Sequence, residues 1–350
     1  MNAPARVGVV GCGLVSRNYV RGSQAFDSVD VVACADLDRA CAEGLAAEFD
    51  LDVAGVDELI ADRSIDVVLN LTPPAAHASV LRQALAAGKH VYTEKPITAS
   101  LDDAAEILAE ADRLGLRIGS APDTFLSSPY RAAARLIEDG AIGEPRSLSA
   151  ALLLGGPEEW HPNADLFYQS GAGPMLDMAP YYLTAIVAML GPIARVSGFA
   201  STLTAHRTFG TGPRAGESFP VTVPTHVTAA LELVSGVSGS MLASFELPRQ
   251  YVCDLLIYGT GGAVALPDPN FFDGAVRLRR GREWADVPYE AQGERDTRGI
   301  GLQEMLEAIA EGRPHRASGG LAAHVLEVAT AVLRSAEEGR AIDIATGARV

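Results

Sequence analysis

Apolar and polar residues in the first third of the chain switch repeatedly between two periods. Short β-branched runs occupy residues 7–10, 29–35, 67–69, 90–92 and 116–118. Between them, Ala/Leu/Glu/Arg-rich stretches at 39–49, 76–87 and 101–114 have the length and spacing of amphipathic helices. Strand–helix–strand units repeated in this way predict a parallel sheet with helices on both faces, because a parallel crossover needs a helix to return the chain. After Pro122 the pattern changes. One helical stretch, 129–139, precedes strand-like segments at 146–154, 193–199, 225–234, 240–247, 253–258, 263–266 and 276–278. Turn signals such as Ser235-Gly236, Gly259-Thr260-Gly261-Gly262 and Asp273-Gly274 separate them. They predict an open, mostly antiparallel sheet with a helix over 173–190 on its inner face and two further helices at 301–311 and 321–338. The Gly/Pro/Ser/Thr-rich stretch 201–224 reads as an extended arm or loop. The expected fold class is α/β, with a doubly wound parallel sheet in residues 1–123 and an α/β domain with the open sheet in 124–350.

Composition narrows the function classes. A chain of 350 residues with 48% hydrophobic content supplies two cores. A net charge of −16 without any Lys/Arg block excludes nucleic acid, which demands a basic surface to neutralise phosphates. Met1-Asn2-Ala3-Pro4-Ala5-Arg6 leads straight into a strand-like run, and no uninterrupted apolar stretch reaches the ~18 residues of a membrane span. A cytoplasmic protein with no membrane partner is expected. Cys12, Cys34, Cys41 and Cys253 form no CxxC pair and no grouping with histidines, so neither a disulfide framework nor a metal site is expected.

Candidate chemistry begins at Gly11-Cys12-Gly13-Leu14-Val15-Ser16, directly after the first strand and opening a helix. There the first glycine permits a tight turn, and the second lets the backbone approach a pyrophosphate at the helix N-terminus. Ser16 stands where a third glycine is usual and is small enough for close helix–strand packing. Asp36, 25 residues beyond Gly11 at the end of the second strand, is placed to accept bonds from ribose hydroxyls and to repel a 2′-phosphate. NAD is therefore expected over NADP, although Arg39 nearby is a group that a 2′-phosphate would use. The alternative role for Asp36 is capping of the helix that starts near Arg39.

The fifth strand runs into Thr93-Glu94-Lys95-Pro96, at the carboxyl end of the sheet where open α/β folds bind ligands. A lysine beside a nicotinamide polarises a substrate oxygen and holds charge that develops on it during hydride transfer. Together with Leu71-Thr72-Pro73-Pro74-Ala75-Ala76-His77 at the end of the fourth strand, these segments resemble the glucose-fructose oxidoreductase / inositol dehydrogenase / MocA family over essentially the whole chain. The resemblance implies a Rossmann domain followed by a C-terminal α/β domain whose open sheet builds a homodimer or homotetramer interface. It implies that Thr72, Pro73 and His77 line the cofactor site, that Lys95 is catalytic, and that the bond before Pro96 is cis. It also places Asp123, after the sixth strand, near substrate or nicotinamide.

The stretch Gly171 to Tyr182 resembles the family's active-site helix, in which an Asp is followed four positions later by a His. Here those positions hold Asp177 and Tyr181. In one continuous helix, i and i+4 place both on one face. Tyr ionises near ~10 and His near ~6.5, so the phenol needs help to exchange a proton at neutral pH, and the ammonium of Lys95 is the expected helper. His161, in Glu159-Trp160-His161-Pro162, competes for that role, with Trp160 as a surface on which a sugar face would stack. Tyr182 points roughly ~100° away from Tyr181 and is expected in the core. The implied activity is NAD-dependent hydride transfer between nicotinamide and a secondary alcohol or ketone of a sugar, inositol or glycoside. The alternatives are glycoside cleavage through transient oxidation and a non-catalytic dinucleotide sensor.

Overall fold

A computed structural model describes residues 3–247 and 252–347, without the side chains of Val252 and Cys253. Met1, Asn2 and the side chain of Cys253 thus lie outside the described residues. The chain folds into two compact units, one running to Ser127 and resuming at Ala291–Ala323, the other comprising Ser128–Glu290 and the described residues from His324 on.

The strands of the first unit are β1 (Ala5–Val10), β2 (Val29–Ala35), β3 (Asp52–Val53), β4 (Val67–Asn70), β5 (His90–Thr93) and β6 (Ile118–Ser120). They form a six-stranded, all-parallel sheet in the order β3-β2-β1-β4-β5-β6. Helices α1 (Leu14–Ser23), α2 (Arg39–Phe49), α3 (Val56–Ala61), α4 (Pro74–Ala86) and α5 (Leu101–Leu114) alternate with them. Covered on both faces, the central strands carry continuous apolar runs, and Val7, Val9, Val67, Val68, Leu69 and Val91 are fully buried. Strand order reverses between β1 and β4, which opens a crevice at the carboxyl ends of those two strands. Strand β6 begins two residues later than the pattern predicts. The cause is helix termination: Gly115 adopts the left-handed conformation and the amide of Leu116 returns to Ala111 O at 2.9 Å, so both residues serve to close α5.

The second unit opens with α6 (Ser128–Glu138) and is built on the strands β7 (Pro145–Leu153), β8 (Ile193–Ser201), β11 (His226–Leu233), β12 (Ser238–Ser244), β13 (Val252–Gly259), β14 (Ala263–Leu266), β15 (Arg277–Arg280), β16 (Glu283–Asp286) and β17 (Ile342–Asp343). These nine form one sheet in the order β16-β15-β14-β13-β7-β12-β11-β8-β17, in which β7 and β12 run parallel and the other described pairs antiparallel. Burial alternates along β11, with Val227, Ala229, Leu231 and Leu233 inside and Thr228 and Ala230 outside, as a sheet with one covered face requires.

Two expectations fail here. The helix over 173–190 is two helices, α7 (Pro174–Asp177) and α8 (Ala179–Leu190), with Met178 between them at φ −106°. Pro180 is the reason: it donates no backbone hydrogen bond and its ring collides with a carbonyl four residues back, so the chain restarts with proline in the first turn of α8. The 201–224 stretch is no extended arm. It folds into a hairpin, β9 (His206–Thr208) against β10 (Ser218–Pro220), and delivers Phe209 and Phe219 into a buried cluster with Ala164, Tyr168 and Phe245. Beside that cluster Arg207, largely buried, bonds Glu158 and Glu246, each at 2.7 Å. Burial and the bond to Glu158 push the Tyr168 hydroxyl's pKa up, so it stays a donor. The two helices expected near the end are present as α9 (Ile300–Glu311) and α10 (Gly319–Glu338). Among the described residues, no helix is long and apolar enough to cross a membrane.

Arg207→Met leaves two carboxylates without their shared partner and should cost about 3 kcal/mol in urea unfolding; a loss below ~1 kcal/mol would show the pair to be dispensable. His324 yields a second expectation. Its Nε2 accepts the amide of Ile193 at 3.0 Å, and burial holds its pKa below the ordinary 6.5. The unfolded chain takes up this proton first, so the contribution of the ring to stability is complete above about 6.5 and is lost progressively as pH falls below that toward the lowered folded pKa. Between pH ~7.5 and ~5.5, the wild type should lose more stability than His324→Gln, whose amide oxygen still accepts; equal losses would contradict this.

Candidate active site

The turn after β1 is shaped by backbone contact. Gly11 sits at φ +98°, and a Cβ there would stand 2.6 Å from both Leu71 C and Thr72 N, so only glycine fits between the ends of β1 and β4. Its amide donates to Ala35 O at 2.9 Å. Gly13 differs: it N-caps α1 without a side chain, and a Cβ there would meet no protein atom within 4 Å. The first-turn amides that follow, at Leu14 and Val15, have no intrahelical partners by construction, and no acidic residue occupies that turn. Ser16 is fully buried, its hydroxyl donating to Gly13 O at 2.7 Å, so the third small residue does serve close packing.

Asp36 borders the same turn. Its Oδ2 accepts the Cys12 amide at 2.7 Å and its Oδ1 the Asp38 amide at 2.8 Å. The cap of α2 is Asp38, which accepts from Ala40 N at 3.0 Å, so capping is not the task of Asp36. Each carboxylate oxygen keeps a second lone pair for a ribose hydroxyl. Arg39 lies on Glu43 at 2.8 Å, an exposed i,i+4 pair. Open space above Gly13, donor amides and a fixed carboxylate fit an NAD dinucleotide.

Next to this turn, β4 and β5 are tied together. Asn70 Nδ2 donates to Thr93 Oγ1 at 3.1 Å, and Asn70 Oδ1 accepts the hydroxyl of Thr72 at 2.7 Å. Pro73 N-caps α4. His77 is fully buried, with Nδ1 2.6 Å from Pro96 O and Nε2 2.7 Å from Thr72 O. A neutral ring has one N–H and bonds one of these carbonyls; a ring carrying both protons bonds both. Either way its nitrogens face backbone, so His77 positions the two loops instead of lining an open surface.

Glu94 organises the lysine turn. Its amide donates to Asn70 O at 2.9 Å, its Oε1 accepts the hydroxyl of Tyr19 at 2.8 Å, and its Oε2 accepts the amide of Lys95 at 3.0 Å. Burial first, and then the Glu94 charge, push the Tyr19 phenol's pKa upward, which keeps it a donor. Lys95 is half-buried and the Lys95–Pro96 bond is cis. Tyr19 and Asn70 were missed at the level of sequence, where nothing marks a helix tyrosine or a strand asparagine as support for Glu94, 75 and 24 positions away.

Asp123 is fully buried. Its Oδ2 accepts the amides of Gly299 and Gly301 at 3.1 and 3.2 Å, and Arg298 Nη1 lies 3.7 Å from its Oδ1. Burial pushes its pKa up, while Arg298 and the two amides draw it down. The carboxylate thus faces the segment that returns to this unit.

In the second unit, Asp177 ends α7 and Tyr181 lies in the first turn of α8, its amide on Met178 O at 3.2 Å. The expectation of one continuous helical face does not hold across the break at Met178. Tyr182 is fully buried, as expected, with its hydroxyl 3.3 Å from Asp268 Oδ1. Trp160 is 66% exposed, and His161 Nδ1 accepts the Asn163 amide at 3.1 Å. Among the described residues, no three His, Cys, Asp or Glu side chains are grouped to hold a metal ion.

A family model described as an oxidoreductase family with an NAD-binding Rossmann fold (GFO_IDH_MocA) matches residues 5–121, and the GFO/IDH/MocA C-terminal domain model matches 130–265. The chain is 29% identical to the dTDP-3,4-didehydro-2,6-dideoxy-alpha-D-glucose 3-reductase of Streptomyces antibioticus over 297 residues, 82% of this chain and 84% of that one. It is 24% identical to the inositol 2-dehydrogenase of Rhizobium meliloti over 97% of this chain and 99% of the relative. Levoglucosan dehydrogenase, solved with NADH and L-sorbose, superposes with a TM-score of 0.85 at 21% identity over 98% of this chain and 99% of that one.

The two glycines give separable expectations. Gly11→Ala should lower both stability, by about 3 kcal/mol or more from strain and collision, and NADH affinity. Gly13→Ala should leave the melting temperature unchanged yet weaken NADH binding, read by nucleotide fluorescence, by roughly tenfold or more. Unaltered NADH affinity in Gly13→Ala would remove the dinucleotide from this turn.

Proposed function

Because the chain belongs to the GFO/IDH/MocA family of oxidoreductases with an NAD-binding Rossmann fold, we propose that it interconverts a secondary alcohol and a ketone on a sugar or cyclitol. The observation that carries this is the fixing of Lys95 at the carboxyl edge of the sheet that holds the Gly11–Gly13 turn and Asp36, through Glu94, Tyr19 and the His77 bridge. Relatives named as a reductase of a dTDP-linked didehydro sugar and as an inositol dehydrogenase support a sugar or cyclitol ring as the reacting group. NAD, when bound, supplies the hydride acceptor or donor. Asp36 accepts the ribose hydroxyls, the amides at Gly13, Leu14 and Val15 take the pyrophosphate, and the Thr72–Pro73 segment borders the cofactor.

Lys95 Nζ donates a hydrogen bond to the reacting oxygen and holds the negative charge that grows there as the carbinol proton leaves. Tyr181 Oη exchanges that proton. Asp177 accepts bonds from neighbouring hydroxyls and so orients the ring. Asp123 acts at a distance, by holding the 298–301 segment in place.

Lys95→Met and Tyr181→Phe should each cut turnover ~100-fold or more while NADH affinity stays within a factor of ~3. Turnover is read as NADH formed from, or consumed with, a panel of sugars, cyclitols and their keto derivatives. Near wild-type turnover in Tyr181→Phe would transfer the proton to His161, and absence of turnover with the whole panel would refute the reaction class.

A further inference from the structure

The loop before α7 carries three aromatic rings that the proton chemistry does not use. Trp160, His161 and Phe167 meet one another at tilted or edge-on angles, with ring centroids 5.4 Å apart for Trp160–His161, 4.9 Å for His161–Phe167 and 6.2 Å for Trp160–Phe167. Trp160 nevertheless remains 66% exposed. With Nδ1 taken by the Asn163 amide, the neutral ring of His161 carries its N–H at Nε2. Phe167 O accepts the amide of Gly173, the N-cap of α7, at 3.0 Å, so the rings belong to the segment that leads directly into Asp177.

This group is held rigidly. The 206–220 hairpin braces it from behind: Gly210 N donates to Glu158 O at 2.9 Å, and a Cβ on Gly212 would stand 2.8 Å from Pro162 Cβ. Arg207 and the Phe209–Phe219–Tyr168 cluster fix the hairpin to the loop, and Met178, between Asp177 and Tyr181, packs on the same cluster. An aromatic surface held in place before binding loses little entropy when a ligand covers it.

The charges around the rings are one-sided. Glu158 and Glu246 share Arg207, Asp165 and Glu217 share Arg214, and Glu159 is exposed next to Trp160. Carboxylates therefore outnumber guanidiniums here, and Glu158, Glu159 and Asp165 stand on the same short segment as the three rings.

Resting on the oxidoreductase reading above, we propose that Trp160, His161 and Phe167 form a stacking platform for an uncharged sugar or cyclitol ring, and that its acidic surroundings select against phosphorylated or nucleotide-linked sugars. The C–H face of a pyranose or cyclohexane ring packs on an aromatic face, with its hydroxyls directed outward to partners such as the Nε2–H of His161. A phosphate on that ring meets net negative charge instead.

Trp160 and Trp284 are the two tryptophans of the chain, so Trp284→Phe leaves Trp160 as the reporter. Its fluorescence is to be titrated, with NAD present, with myo-inositol, D-glucose and D-xylose and with the 1-phosphate of each. At least one uncharged ring should give a saturable change, its phosphate should bind roughly tenfold more weakly or worse, and Phe167→Ala in the same background should weaken the uncharged ring by roughly tenfold. Phosphates binding as tightly as the free rings, no response to any ring, or a response undiminished in Phe167→Ala would each overturn the platform. So would a Trp160→Ala variant whose only change is in subunit association. NADH formation in the same samples separates the two levels: saturable binding without it counts against the oxidoreductase chemistry alone, and NADH formation with Trp160 unmoved counts against the platform alone.

Discussion

The contact between the backbone of Gly11 and that of Leu71 and Thr72 is the constraint from which the first unit's chemistry follows. It brings the ends of β1 and β4 together where strand order reverses, and any side chain at Gly11 would separate them. From that junction hydrogen bonds link Thr72 to Asn70 and Asn70 to Thr93, and the His77 ring sits between Thr72 O and Pro96 O. One short relay therefore sets both the loop after β4 and the turn that carries Lys95. Buried polar groups of this kind have high stakes, since each is stable only while its partners stay in place.

Support for the Lys95 turn comes from its neighbours. Glu94 takes one bond from a tyrosine on α1 and one from the lysine's own amide, which fixes the turn through its backbone. In the second unit the same logic appears on a larger scale. A buried arginine between two glutamates and a cluster of aromatic rings turn a Gly- and Pro-rich stretch into a rigid hairpin, and rigidity there fixes the loop that precedes Asp177. Such ion clusters gain little over an apolar core in stability but impose one arrangement.

Legibility from sequence followed the physical origin of each feature. Gly11 was readable because a tight turn demands a particular residue type directly after a strand, and Asp36 because a carboxylate at the end of the second strand borders that turn. The parallel sheet was readable because strands covered on both faces carry unbroken apolar runs. Strand β6 was misplaced by two residues, since the local pattern does not reveal that Gly115 and Leu116 are consumed in ending a helix. The break at Met178 was announced by Pro180, but apolar residues continue through it and hid the signal. Phe209 and Phe219 stand in a stretch without periodicity, so nothing local showed that they enter a core. His77 was visible as a residue of interest, whereas its two carbonyl partners depend on long-range pairing that no spacing encodes.

The most direct measurement is a crystal structure grown with NADH. Density for the dinucleotide should run from the carboxylate of Asp36, across Gly11–Gly13 and the start of α1, to end with the nicotinamide beside the amine of Lys95. A dinucleotide bound elsewhere on the chain, or one at the glycine turn with its nicotinamide directed away from Lys95, would contradict the assignment of that lysine and of the hydride chemistry built on it.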